Sequence, residues 1–163
     1  MTFTFKLADK QALWPVLPEI FKILRGNMER IAPTGDEYEE DFAVWSEYII
    51  PAMQEEQRQM VLMLCDGEPA GYFQYNIRED VFIMEEIQIK PEYQGTGLFR
   101  KLYKWLEKEL PAGLVRVEAY ANKKNLKSQK ILERLGLGRA GENKSGSSYY
   151  YKGSCRELWE SFR

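Results

Sequence analysis

The chain has 163 residues, 44% hydrophobic and 13% aromatic, with a formal charge of −2 and no histidine. Its length suits one domain with a substantial core, and its charge argues against nucleic-acid binding through bulk electrostatics. No run of about 18 apolar residues offers a membrane span, and the missing histidine removes every His-based triad, His-liganded metal site and His general base.

The N-terminal MTFTFKLADK lacks the apolar core of a secretory signal, and residues 2–7 alternate as a strand does. Residues 9–31 take helical spacing, with Asp9 as a cap and with Pro15 and Pro18 dividing an entry turn from a main helix. A second helix starts near Asp36 and carries Phe42, Trp45, Ile49 and Met53 on one stripe. VLMLC, Asp66-Gly67 and AGYFQYNI then read as a hairpin. VFIMEEIQIK, residues 81–90, is the next strand, and a helix over 97–110 is stopped by Pro111 and Gly113. LVRVEAY, residues 114–120, alternates again. A short helix over 125–135 closes at Gly136, and the strand SSYYYKG precedes the tail RELWESFR. The order β-α-α-β-β-β-α-β-α-β predicts one α/β domain over residues 1–163, with a mixed, mostly antiparallel sheet flanked by helices. Cys65 and Cys155 have no metal-ligand spacing and suit a reducing cytoplasm.

Between strand 81–90 and its helix lies Gln94-Gly95-Thr96-Gly97. A strand, a glycine loop and a helix start aim several backbone N–H groups at one point, reinforced by the positive end of the helix dipole. Two residues without side chains let a phosphate approach the backbone, and Thr96 can add a hydroxyl. The stretch lacks the Gly-Lys-Ser/Thr ending of a P-loop and the glycine spacing of a dinucleotide fold. On glycines alone, a pyrophosphate seat and an ordinary helix entry stand about level.

PEYQGTGLFRKL resembles the acetyl-CoA loop of the GNAT superfamily of N-acetyltransferases, whose pattern is Gln/Arg-x-x-Gly-x-Gly/Ala. Gln94 and Gly97 fit its first two fixed positions, while Phe99 stands where a small residue is usual. NKKNLKSQKILERLGLG is similar to a later helix of the same fold, with Asn125 and Ser128 at its start. The resemblance implies a GNAT-type fold and a GNAT-type acyltransferase that moves an acetyl group from acetyl-CoA, lying between strands 81–90 and 114–120, to a primary amine by direct attack in a ternary complex. It places Gln94, Gly95, Thr96, Gly97, Leu98, Phe99 and Arg100 at the pyrophosphate, the backbone of Ile87, Gln88 and Ile89 along the pantetheine arm, and Asn125 and Ser128 at the cofactor. Lys123, Lys124 and Lys127 are at most steering charges, and a solvated lysine face is the simpler reading of each. No metal is implied.

Such chemistry needs a base, because an alkyl amine with a pKa near 10 is only about one-thousandth neutral at pH 7. It also needs donors for an oxyanion and a proton for the departing thiolate. Alternation along MEEIQIK puts Glu85 with Ile87 and Ile89 on one face and Glu86 with Met84 and Gln88 on the other. Solvated or ion-paired glutamates are the plain alternative. The resemblance favours Glu85 as base, acting through water, with Glu86 attracting the cationic amine; the two roles are exchangeable. Where many relatives carry a tyrosine acid, this chain has Leu132. Tyr120, Tyr149, Tyr150 and Tyr151 are substitutes, each more readily read as a packing aromatic. The acidic run DEYEED, residues 36–41, is chiefly a helix start and secondarily an attraction for a basic acceptor. The acceptor is a small-molecule or peptide amine, with no nucleic acid or membrane involved, and a homodimer is compatible with the sequence. Two other classes stay open at this stage: an acyl-CoA-binding sensor or scaffold that has lost catalysis, as Leu132 invites, and a nucleotide-binding module unrelated to CoA.

Overall fold

The computed structural model describes residues 1–163. In chain order its elements are β1 (Phe3–Leu7), α1 (Leu17–Met28), α2 (Tyr38–Ala52), β2 (Arg58–Cys65), β3 (Glu68–Arg78), β4 (Val81–Ile89), a 3-10 turn (Pro91–Tyr93), α3 (Leu98–Glu109), β5 (Arg116–Asn122), α4 (Leu126–Arg134), β6 (Gly138–Glu142), β7 (Ser148–Ser154) and α5 (Cys155–Glu160). The strands form one seven-stranded mixed sheet of order β1-β2-β3-β4-β5-β7-β6, flanked by helices. β4 and β5 run parallel, whereas β1–β2, β5–β7 and β6–β7 are antiparallel. The predicted element order holds, with β6 and α5 added. The chain divides into two compact units, residues 1–74 with 86–98 and residues 75–85 with 99–163.

In the first unit, β1 pairs with β2 from Phe3↔Cys65 to Leu7↔Val61. Ala8, Leu13, Leu17, Ile20, Ile49, Met53, Met60 and Tyr72 form the buried core there. Each large apolar side chain taken fully out of water contributes about 1.5–3 kcal/mol. α1 begins at Leu17 with Pro18 in its first turn, later than the helical spacing from residue 9 suggests. The residue before a proline is pushed away from the helical region, so the segment holding Pro15 stays in turns. Asp9 does not cap the helix: its carboxylate accepts from the Gln11 N–H at 2.9 Å and closes a local turn. α2 opens with Glu39, Glu40 and Asp41 in its first turn, where acids complement the dipole. Its Phe42 and Trp45 rings lie 5.3 Å from Phe21 of α1. Arg25 binds the α1–α2 connection together, donating to Asp41 at 3.0 Å and to the Asp36 carbonyl at 2.9 Å.

In the second unit, β5 pairs with β7 from Arg116↔Ser154 to Asn122↔Ser148. α3 turns Leu102, Tyr103 and Leu106 inward, the stripe of an amphipathic helix, and Leu110 just past its end is buried as well. β6 is a wholly exposed strand, GRAGE, with a register shift between Arg139 and Gly141. Gly153 is a close-approach position, since a Cβ there would sit 3.0 Å from the Gly136 carbonyl oxygen. Ser154 caps α5 by accepting from the Glu157 N–H at 3.0 Å.

Candidate active site

β4 changes character midway. Phe82 and Met84 are buried, whereas every residue from Glu85 to Ile89 is half-exposed. The parallel ladder with β5 runs from Val81↔Arg116 to Met84↔Ala119 and ends there. Alternation places Glu86 and Gln88 on the face of Met84, as the sequence predicts, and the Gln88 amide donates directly to the Glu86 carboxylate. Gln88 in turn accepts at Oε1 from the Asn27 amide of α1 at 2.9 Å, and the same Asn27 nitrogen donates to the Ile89 carbonyl at 3.0 Å.

Behind this segment lies Gly71 of β3. A Cβ on Gly71 would fall 2.4 Å from the Gln88 carbonyl oxygen and 3.1 Å from the Ile89 Cα, so only glycine fits. The neighbouring Tyr72 hydroxyl is buried without a hydrogen-bond partner. Burial, followed by the negative charge of Glu86 and the proximity of Tyr48, holds that phenol well above its ordinary pKa.

The glycine turn follows. Gln94 reaches back from its side chain to the Ile89 carbonyl at 3.0 Å, and the Thr96 hydroxyl donates to the Tyr93 carbonyl. Both side chains fold back onto main-chain carbonyls of the preceding turn. Gly95 has φ +76° and Gly97 φ +88°, and nothing lies within 4 Å of where a Cβ would stand on either. Their requirement for glycine is therefore torsional, and the space before them is open. Leu98 is buried at the first position of α3, and Arg100 is exposed. Bare amides at the start of a 12-residue helix, with room in front, suit a diphosphate.

Phe99, the departure from the small residue of the pattern, belongs to a ring cluster. Its centroid is 4.7 Å from Tyr103 and 5.9 Å from Phe162. Tyr103 is buried, donates to Met84 Sδ at 3.1 Å, and has its phenol pKa pushed far up by burial.

Asn125 stands at the N-cap of α4, its side-chain oxygen accepting from the Ser128 N–H at 3.1 Å. These two predicted cofactor residues thus meet each other in a helix cap. Lys123 pairs with Glu142 at 2.7 Å and lies 5.1 Å from the Tyr149 ring, over which Arg139 also sits at 3.7 Å. Leu132 is buried at 8% exposure, as a packing residue. Tyr151 is fully buried, whereas Tyr120 is 54% exposed and lies 5.2 Å from Tyr150. Both cysteines are free and buried. Burial, with the charge of Asp80 behind it, pushes the Cys155 thiol up to about 11, which suits a packing role and not a nucleophile.

Sequence reasoning missed Asn27 and Tyr72. Asn27 had only a faint local signal: Gly26-Asn27 sets two weak helix formers in the last turn of α1.

A strand that turns polar midway, a glycine bend and a helix start make up the candidate site of an acetyltransferase. The chain belongs to the acetyltransferase (GNAT) family, whose model matches residues 17–137; its acyl donor is acetyl-CoA. No curated protein matches the sequence. An acetyltransferase from Thermus thermophilus has the same fold at 16% identity and TM-score 0.73, over 94% of this chain and 97% of that one. The PaiA N-acetyltransferase of Thermoplasma acidophilum, solved with coenzyme A, aligns at 13% identity and TM-score 0.70, over 94% and 99%. A spermidine/spermine N-acetyltransferase, SpeG, from Vibrio cholerae aligns at 12% identity and TM-score 0.62, over 99% and 98%. No helix of the chain is long and apolar enough to cross a membrane.

Proposed function

We propose that this enzyme acetylates a primary amine, on a small molecule or a peptide, by direct attack in a ternary complex, and that both units serve a single N-acetyltransferase domain. The observation that carries the reading is the Gly95–Gly97 bend: two positive-φ glycines with open space before them at the entry to α3. The main-chain N–H groups of residues 94–100 hold the diphosphate, and Arg100 adds a cation at the exposed start of the helix. The main chain of Ile87–Ile89 aligns the pantetheine arm by strand addition, and its N–H groups on the edge away from β3 polarise the reacting carbonyl. Asn125 and Ser128 serve the cofactor from the first turn of α4. Acetyl-CoA supplies an activated thioester carbonyl; the rest of the chemistry is proton management by the protein.

For that management β4 offers adjacent carboxylates on opposite faces. Glu86 attracts the ammonium and Glu85 takes a proton from it through water; the neutral amine then forms its bond to the acetyl carbon, the C–S bond breaks, and the CoA thiolate takes a proton from water. The spermidine and spermine of the SpeG N-acetyltransferase are the kind of cationic amine that such carboxylates favour. The two buried free thiols support a reducing, cytoplasmic setting. A thiol-release assay with acetyl-CoA and a panel of amines tests the reading. Turnover with an amine is expected, and Glu85→Gln or Glu86→Gln lowers it by about a hundredfold. Full activity in both variants removes these glutamates from the reaction; no turnover with any amine, with acetyl-CoA still bound, removes acetyl transfer to amines.

A further inference from the structure

We infer that Asn27 and Gln88 are positioning residues for Glu86, forming a directional chain that turns an amide NH2 group toward its carboxylate. The inference rests on the reading that Glu86 acts on the acceptor amine.

The direction of the chain follows from what each end can accept. The Ile89 carbonyl has no proton to give, so the Asn27 group facing it at 3.0 Å is the NH2. The same nitrogen lies 2.9 Å from Gln88, and a donor there requires the Gln88 oxygen. With its oxygen so engaged, Gln88 has its NH2 on the opposite side, where it meets Glu86. Rotating either amide by half a turn creates two faults. A flipped Asn27 sets oxygen against the Ile89 carbonyl and disrupts the contact with Gln88. A flipped Gln88 sets its NH2 against that of Asn27 and its oxygen against the carboxylate. Each amide is thereby locked by the other.

The frame around the chain is equally constrained. Arg25, two positions before Asn27, joins α1 to Asp41 and to the Asp36 carbonyl. Gly71 lets β3 lie directly behind the Gln88 carbonyl. Gln88 is therefore held through its backbone from β3 and through its side chain from α1. Glu86 receives a donor from a side chain that cannot turn away. A carboxylate held at one oxygen by a neutral amide loses rotational freedom, as a group that must meet an ammonium ion requires.

The test is a double-mutant cycle on kcat/KM for the best amine of the panel, with acetyl-CoA KM measured alongside. Asn27→Ala is expected to lower kcat/KM by about tenfold and to leave acetyl-CoA KM unchanged. In a Glu86→Gln background, itself expected to be down by about a hundredfold, the same substitution is expected to cost less than about twofold. Gln88→Met, which keeps length and removes the donor, is expected to repeat the pattern and decides the matter if Asn27→Ala does not fold. An equal loss in both backgrounds, or no loss in the native background, overturns the positioning role and leaves the function of Glu86 standing. A fully active Glu86→Gln overturns the role of Glu86 and the positioning inference together.

Discussion

The two halves of β4 are built from neighbouring residues and obey different rules. From Val81 to Met84 the strand is laddered to β5 and mostly buried, with Phe82 at 0% exposure between Tyr75 at 5.6 Å and Trp159 at 6.1 Å. From Glu85 to Ile89 it is half-exposed and carries Glu86 and Gln88 in a polar chain with Asn27. Apolar burial is nondirectional and tolerates repacking, whereas a donor–acceptor chain has one working orientation. The first half holds the fold, and the second spends stability on placing charge.

That contrast breaks most sharply under substitution. Phe82→Ala is expected to cost about 3–5 kcal/mol in urea unfolding, whereas Glu86→Gln is expected to change stability by less than about 1 kcal/mol while lowering amine turnover. Comparable destabilisation by both would erase the distinction. Gly97→Ala places a side chain in the left-handed region and is expected to cost about 1–2 kcal/mol. It should also weaken acetyl-CoA binding in calorimetry, whereas a change confined to stability would make the bend a helix entry alone. Asn125→Ala removes a helix cap and is expected to cost about 1 kcal/mol, read as a fall in thermal midpoint.

A further effect is alkaline. Cys155 packs near the front end of β4, with its thiol raised from 9.0 to about 11 by burial and then by Asp80. Between those values the unfolded chain gives up a proton that the folded chain keeps, so the thiol's contribution is complete below about pH 9 and lost as pH rises toward 11. Cys155→Ala should flatten the decline of unfolding free energy in that window. An unchanged slope would assign the decline elsewhere, to the buried phenols Tyr72 and Tyr103.

Much of the fold was legible because period and punctuation agree: alternation in β4 and β5, the leucine stripe of α3, glycine and proline at the turns. β6 was not, because all five of its residues are exposed and no apolar alternation marks it; its pairing with β7 alone makes it a strand. α5, with six residues, is too short to show a period. Of the site, the glycine bend and the two carboxylates could be read locally. The orientation of Gln88 could not, since it depends on Asn27, 61 residues away in sequence. Likewise Phe99, an anomaly in the motif, becomes ordinary beside Tyr103 and Phe162.

Gly71 has a consequence for how the chain finds its alignment. It is the one glycine of β3, and the tight spot behind Gln88 admits no other kind of residue. A slip of β3 by one position would bring Ala70 or Tyr72 to that spot and force a clash. The hairpin is keyed: its native alignment is the one that brings a residue without a side chain to this contact.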